Sequence, residues 1–298
     1  MSSCPGVVSG TPMKVVILCG GLGTRLREET EHRPKPMVPV GGRPILWHIM
    51  RRYAAYGFHE FVLCLGYKGE MIKDYFLHYR TRTSDFTLRL GHDGPEAIAY
   101  HNDAYDKDWR VTLISTGEHA MTGARMARVR RYVEGAPFML TYGDGVADLD
   151  IAALARFHAA HGKLATVTTV RPGVSRFGEL ELEGERIAQF REKPDAREGH
   201  ISGGFFVFQP EVFDYVRDAD DCVLEREALQ QLALDGQLMG FRHEGYWQCM
   251  DTYRDYQQLN EIWDRGDAPW MQGMPSAAAA GSRGRRVRAP RAGATASR

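Results

Sequence analysis

Residues 15–37 read VVILCGGLGTRLREETEHRPKPM. VVILC (15–19) is a short, wholly apolar run, the pattern of a strand buried on both faces of a parallel sheet. Gly20, Gly21 and Gly23 follow it directly. A glycine turn after a buried strand lets backbone N–H groups approach an anion closely, and Thr24 adds a hydroxyl. Arg25 and Lys35 are two cations that could converge on phosphates. Two standard readings fail. The dinucleotide fingerprint needs a third glycine where Leu26 stands and an acid after the second strand, where Gly66-Tyr67 stands. The lysine-bearing phosphate loop of the P-loop ATPases is absent.

Working outward, the rest of the chain alternates strand and helix. Ile45, Leu46, Ile49, Met50 and Tyr53 recur at helical spacing between Pro44 and Gly57, predicting a helix over 44–57. FVLCLGY (61–67) predicts a second buried strand, and Met71, Ile72, Tyr75, Phe76 and Tyr79 a second helix. Further helices are expected at 124–133, 150–161, 210–217, 225–236 and 252–265, the last opened by a Thr252–Asp255 capping box. Strands are expected at 138–145, 165–170, 203–208 and 241–247, with a hairpin over 177–190 turning at Gly184. This order implies an α/β fold: a Rossmann-like, mixed but mainly parallel sheet with small antiparallel additions. One domain over 13–270 is expected. Residues 1–12 and 271–298 read as disordered ends, the second a basic tail, and Met13 could be an alternative start.

The 298 residues carry 38 basic and 38 acidic side chains, and 43% are hydrophobic. That is enough for a sizeable core and excludes wholesale disorder. The zero net charge argues against a coat for nucleic acid. Six arginines and no acid lie in 271–298, so the remainder is acidic. No apolar run approaches the ~18–20 residues that span a bilayer. Five cysteines without a C-x-x-C pair, and an N-terminus without a signal pattern, predict reduced thiols and a cytoplasmic location.

Four further segments carry candidate chemistry. TYGDG ends a strand at the carboxyl edge where open α/β sheets bind ligands, and Asp144 there reads either as a turn aspartate or as a Mg²⁺ ligand beside Gly143. Asp251 in YWQCMDT reads either as a helix-start residue or as a second metal carboxylate. Asp148 and Asp150 are assigned to the start of the helix at 150–161. FREKP places Glu192 and Lys193 after a strand, where such a pair is ordinarily a solvated one. His158 and His161 lack a nearby third ligand for zinc.

The combination G-x-G-T-R-L, seven residues, then P-K-P resembles the signature of the sugar-1-phosphate nucleotidylyltransferases, over about residues 13–270. PILWHIM (44–50), GYKG (66–69), TGEHAMTGAR (116–125) and TYGDGVADLDI (141–151) are most similar to the branch that transfers a cytidylyl group. The resemblance implies the nucleotide-diphospho-sugar transferase fold and a reaction of CTP with glucose 1-phosphate, giving CDP-glucose and pyrophosphate. It implies Mg²⁺ on Asp144 and Asp251. Nucleotide contacts are implied for Leu18, Cys19, Gly20, Gly21, Leu22, Gly23, Thr24, Arg25, Lys35, Thr116, Met121 and Gly143. Arg25, Lys35 and Lys193 are the implied catalytic cations, and Gly178, Glu192 and Lys193 the implied sugar-phosphate site. Thr116 and Met121 are assigned to the base or ribose because no glutamine lies between 101 and 188, whereas thymidylyl-transferring relatives present one there. Small-molecule substrates, no nucleic acid, no membrane and a homo-oligomer are the implied partnerships. The rivals are a dTTP- or UTP-specific enzyme, a metal-dependent glycosyltransferase using Asp148-Leu149-Asp150, and a non-catalytic nucleotide-sugar sensor.

Overall fold

The computed structural model describes residues 7–8, 11–91, 97–101, 108–171, 179–183, 185–191 and 199–275. Among these, nine strands form one mixed sheet: β1 (Val15–Cys19), β2 (Glu60–Leu65), β3 (Arg110–Ser115), β4 (Phe138–Tyr142), β5 (Ala165–Val170), β6 (Glu179–Glu183), β7 (Arg186–Arg191), β8 (His200–Phe208) and β9 (Leu238–Arg242). Their order is β5-β9-β7-β6-β8-β4-β1-β2-β3, with β5 also pairing β8. Strands β4, β1, β2 and β3 run parallel. Strand β8 is antiparallel to β4 and β5.

The apolar runs explain the two-sided burial. Val15, Ile17 and Cys19 pack into one core layer with Phe61, Leu63 and Leu65, while Val16, Leu18, Val62 and Cys64 pack into the other. Alternation at period two feeds both faces, so every position must be apolar. Helices α1 (Ile45–Ala55), α4 (Ile151–His161) and α6 (Tyr253–Asp264) contribute to the first layer, and α3 (Thr122–Arg128) and α5 (Ala228–Leu234) to the second. Helix α2 (Gly69–Leu77) follows β2. No described helix is long and apolar enough to cross a membrane.

The structure departs from the sequence reading in definite places. The helix expected at 124–133 is two short helices, Thr122–Arg128 and Arg130–Val133, interrupted at Val129 (φ −100°, ψ 2°). The segment 210–217 is a 3-10 turn over Pro210–Tyr215, and α5 starts at Ala228 rather than 225. The strand expected at 241–247 is really two. Strand β9 ends at Arg242, His243 Nε2 comes within 3.0 Å of Asp148 Oδ1, and Trp247–Cys249 then pairs with Gly145–Ala147 in a separate ladder. Strand β3 carries no strong apolar signal, because it is the sheet's edge and only half-buried. The hairpin expected over 177–190 corresponds to the antiparallel β6–β7 pair, while residues 177–178 and the expected turn residue Gly184 lie outside the described residues.

The described residues reach into both expected chain ends, whose other residues lie outside them. Val7–Val8 pairs antiparallel with Thr11–Pro12, so part of 1–12 is extended and paired, in keeping with its β-branched residues. Past 270, Pro269–Met271 forms a 3-10 turn, and the Gln272 carbonyl accepts a 2.7 Å bond from Arg52 Nη1.

Candidate active site

Strand order reverses between β1 and β4, and the crevice beyond their carboxyl ends is where doubly wound sheets bind ligands. A cavity of about 220 Å³ opens there. Leu18, Cys19, Gly20, Gly21, Lys35, Met121, Gly143 and Asp144 line it, together with Ala120, Thr122, Arg125 and Tyr142. The Gly143 N–H donates to the Leu18 carbonyl at 3.0 Å, which ties the two strand ends together. A Cβ at Gly143 would lie 2.9 Å from Pro36 and 3.0 Å from that carbonyl, so the tie requires glycine. Gly20 is held as closely: a Cβ there would overlap the Arg125 guanidinium.

The loop after β1 is a 3-10 turn, Thr24–Leu26, running into a short helix, Arg27–Thr30. Leu26, which stands where a third glycine was sought, is fully buried and anchors the loop to the core. The Thr30 hydroxyl closes it by donating to the Gly23 carbonyl at 3.0 Å. Pro34 and Pro36 bracket Lys35, and the second proline is buried. Proline fixes φ on either side and holds the lysine against the strand ends.

Lys35 Nζ lies 2.6 Å from Asp144 Oδ2 and 2.5 Å from Asp251 Oδ1, while Arg25 Nη1 lies 2.8 Å from Asp251 Oδ2. The implied phosphate-binding cations therefore rest on the implied metal-binding carboxylates. Burial works against the Lys35 ammonium, but the carboxylates, Asp144 first and then Asp251, outweigh it and hold its pKa above the ordinary value. Burial likewise works against the Asp251 carboxylate, and Lys35 with Arg25 outweighs it and holds that pKa down. The two arms differ in strength. The Arg25 side chain is 57% exposed, so its pair contributes about 1 kcal/mol or less. Arg25 can leave Asp251 for another anion at little cost.

Asp251 is positioned by the start of α6. Its N–H donates to Asp255 Oδ2 at 3.1 Å, and Thr252 and Asp255 form the expected capping box. Asp144 is held from the same side, since the Met250 N–H donates to its carbonyl at 2.9 Å. Asp150 caps α4 by accepting from the Ala153 N–H at 2.8 Å. With Asp148 beside His243, neither carboxylate faces the cavity, which removes the geometry a glycosyltransferase D-x-D needs. His158 and His161 both hydrogen-bond the Thr166 hydroxyl rather than assembling a zinc site.

The structure places the other sequence-predicted residues unevenly. Met121 is half-exposed on the cavity wall. Thr116 is 1% exposed and stands behind that wall; its hydroxyl donates to the Leu65 carbonyl at 2.8 Å and accepts from Arg125. Leu22, Gly23 and Thr24 lie on the loop outside the lining, as does Arg25. Gly178, Glu192 and Lys193 fall outside the described residues.

Sequence reasoning missed two groups. The Arg125 guanidinium, buried in the cavity wall, donates to the carbonyls of Gly20 (2.8 Å), Leu65 (3.2 Å), Gly117 (2.8 Å) and Glu118 (3.2 Å) and to the Thr116 hydroxyl (2.9 Å). Its signal was an arginine set between the apolar Ala124 and Met126. Cys249 was the other: its sulfur and the carboxylates of Asp144 and Asp251 lie within 4.8 Å of one another. Cys249 and Asp251 stand two residues apart, the spacing that puts extended side chains on one face.

Comparison with known proteins agrees with this geometry. Residues 14–264 match the nucleotidyl transferase family. Glucose-1-phosphate cytidylyltransferase of Salmonella typhi is 50% identical over 260 residues, 87% of this chain and 98% of that protein. Two solved structures share the fold: UDP-glucose pyrophosphorylase complexed with UDP-glucose (TM-score 0.66, 15% identity, covering 85% of this chain and 99% of that one) and the inositol-1-phosphate CTP transferase of T. maritima (TM-score 0.62, 17% identity, covering 84% and 95%). With a cavity at the switch point, a glycine loop beside it and a paired set of cations and carboxylates at its mouth, the chain belongs to the nucleotidyl transferase family.

Proposed function

We propose that this chain transfers the cytidylyl group of CTP to α-D-glucose 1-phosphate, forming CDP-glucose and pyrophosphate. The structural observation that carries the reading is Lys35 held between Asp144 and Asp251 at the end of β4; the half identity to a glucose-1-phosphate cytidylyltransferase over nearly its whole length supports the substrates. A sugar-phosphate oxygen attacks the α-phosphorus of CTP in line, the α–β bridging bond breaks, and its electron pair leaves with pyrophosphate. The nucleophile is already an anion, so no strong base is needed. Catalysis is positioning plus charge neutralisation.

Arg25 and Lys35 together match the charge of Asp144 and Asp251 in the free protein. An incoming triphosphate offers both cations new partners, and Arg25 exchanges at small cost because it is exposed. That exchange leaves two hard carboxylates free, a donor pair that fits Mg²⁺. The family is generally dependent on a divalent metal; bound here, Mg²⁺ would supply charge neutralisation on the phosphates. Gly20 and Gly21 offer backbone N–H groups at the cavity, and Met121 an apolar surface for the base or ribose. By the family pattern, Glu192 and Gly178 take the sugar and Lys193 its phosphate. Family resemblance also favours a homo-oligomer, which sedimentation would test.

The test is competition between CTP, UTP and dTTP at equal concentration with glucose 1-phosphate and Mg²⁺, the nucleotide sugars being separated and identified. CDP-glucose is expected to dominate. Predominant dTDP-glucose would overturn the base assignment, and no nucleotide sugar at all would overturn the reaction.

A further inference from the structure

The cation site at the cavity mouth has a third donor that the reaction does not require. Cys249 comes from the Trp247–Cys249 ladder strand, Asp144 from the turn after β4 and Asp251 from the start of α6. Their ligand atoms all lie within 4.8 Å of one another. Two of the three donors already hold a cation, the Lys35 ammonium, at 2.6 and 2.5 Å from the carboxylates. Four-coordinate zinc with ordinary bond lengths sets its donors about 3.5 Å apart, so these side chains need close by only about 1 Å. Mg²⁺ takes oxygen and gains little from sulfur, whereas zinc and cadmium gain most from a thiolate.

We propose that Asp144, Cys249 and Asp251 form a mixed carboxylate–thiolate site that binds a thiophilic divalent ion, Zn²⁺ or Cd²⁺, in the nucleotide-free protein. This rests on the reading of Asp144 and Asp251 as the cation-holding carboxylates. The ion displaces the Lys35 ammonium from the carboxylates and forms a bond to the Cys249 sulfur, whose proton passes to the buffer. One proton is released per ion bound. The same ion competes with Mg²⁺, so Cys249 makes the enzyme sensitive to thiophilic metals.

Cd²⁺ titration of the full chain carrying Cys4→Ser tests this; the remaining cysteines, Cys19, Cys64 and Cys222, are buried. The expected result is a sulfur-to-cadmium charge-transfer band saturating at one ion per chain, with a proton released. Adding Cys249→Ser should abolish the band and weaken Cd²⁺ binding at least tenfold. X-ray absorption of the zinc-loaded, Cys249-containing chain, which needs no variant at that site, should show one sulfur neighbour. No band, a band that survives Cys249→Ser, or an all-oxygen and nitrogen zinc shell overturns the proposal. CDP-glucose formation with Mg²⁺ on the same preparation reports separately on the function. A protein that turns over without showing the band overturns this inference alone. One that shows the Cys249-dependent band without turnover upholds it and overturns the function.

Discussion

Lys35 concentrates the residue-scale argument, since one ammonium serves two carboxylates. Lys35→Met leaves Asp144 and Asp251 facing each other without their main counter-charge. CDP-glucose formation is expected to fall about 100-fold or more, the cost of losing one preorganised charge at a developing anion. Mg²⁺ should raise the Tm of the variant more than that of the wild type, because the ion then relieves an uncompensated pair. The acid limb differs too. Asp251 binds a proton less tightly folded than unfolded, so its contribution is whole above the ordinary carboxylate pKa and is lost as pH falls through the depressed one. Denaturant melts below about pH 4 should therefore show the wild type losing stability more steeply than Lys35→Met. At Arg125 the prediction concerns shape. Arg125→Lys keeps the charge but cannot reach five acceptors with a planar fork. A loss of about 2–4 kcal/mol in stability is expected, with KM for CTP raised because the Gly20 carbonyl loses its anchor. Lys193→Ala should instead leave stability intact and lower kcat/KM for glucose 1-phosphate roughly 30–1000-fold, the loss of a charge-assisted phosphate contact.

At the scale of elements, legibility followed packing. β1, β2 and α1 announced themselves because burial on both faces, or on one wide face, leaves a dense apolar pattern. β3 did not, because an edge strand is half-exposed and its residues answer to fewer neighbours. Gly20, Lys35, Asp144 and Asp251 were readable from turn chemistry and motif spacing, whereas Arg125 and Cys249 owe their place to contacts between segments far apart in sequence, 105 residues between Arg125 and Gly20 and about a hundred between Cys249 and Gly145. His48 on α1 is a similar case. Its Nε2 lies 2.9 Å from the Val40 carbonyl, and its Nδ1 accepts from Trp270 Nε1 at 3.2 Å, which fixes the neutral tautomer with the proton on Nε2. Burial, opposed in part by the Val40 bond, lowers its pKa to about 4. The unfolded chain thus binds the proton more tightly. His48 stabilisation is complete above about pH 6.5 and is lost as pH falls toward 4, at up to about 1.4 kcal/mol per pH unit. His158 behaves alike, its pKa lowered to about 4 by burial and then by His161. Urea melts from pH 7 to 4 should show this slope, and His48→Gln should remove one histidine's share of it. An unchanged slope in that variant would contradict the assignment.

Across the whole molecule, the switch point gathers one site from segments far apart in sequence, and residues 270–272 brace it from behind. Trp270 is 1% exposed, bonds His48 on α1 and packs 5.6 Å from the Tyr246 ring, ring centre to ring centre. Arg52 on α1 then reaches past it to the Gln272 carbonyl, and also donates to the Leu149 carbonyl at 2.9 Å. These bonds tie the chain's end to the elements on either side of Asp144: Leu149 precedes α4, and Tyr246 precedes the ladder that carries Cys249. A protein spanning 13–275 keeps every one of these contacts and should match the full chain in Tm and in CDP-glucose formation. Ending at 270 removes the Gln272 acceptor from a buried guanidinium, at a cost of about 1–3 kcal/mol. Ending at 267 removes Trp270 as well, leaving a cavity and an unpaired His48 nitrogen, and should cost about 3–5 kcal/mol more. Thermal melts of the three lengths should therefore fall in that order. Activity should fall with them even at temperatures where each remains folded, because α1, α4 and the Trp247–Cys249 ladder lose a shared support and Asp144 and Asp251 are held less firmly. Equal melting temperatures for the 275 and 267 forms would show that the sheet positions the site without this brace.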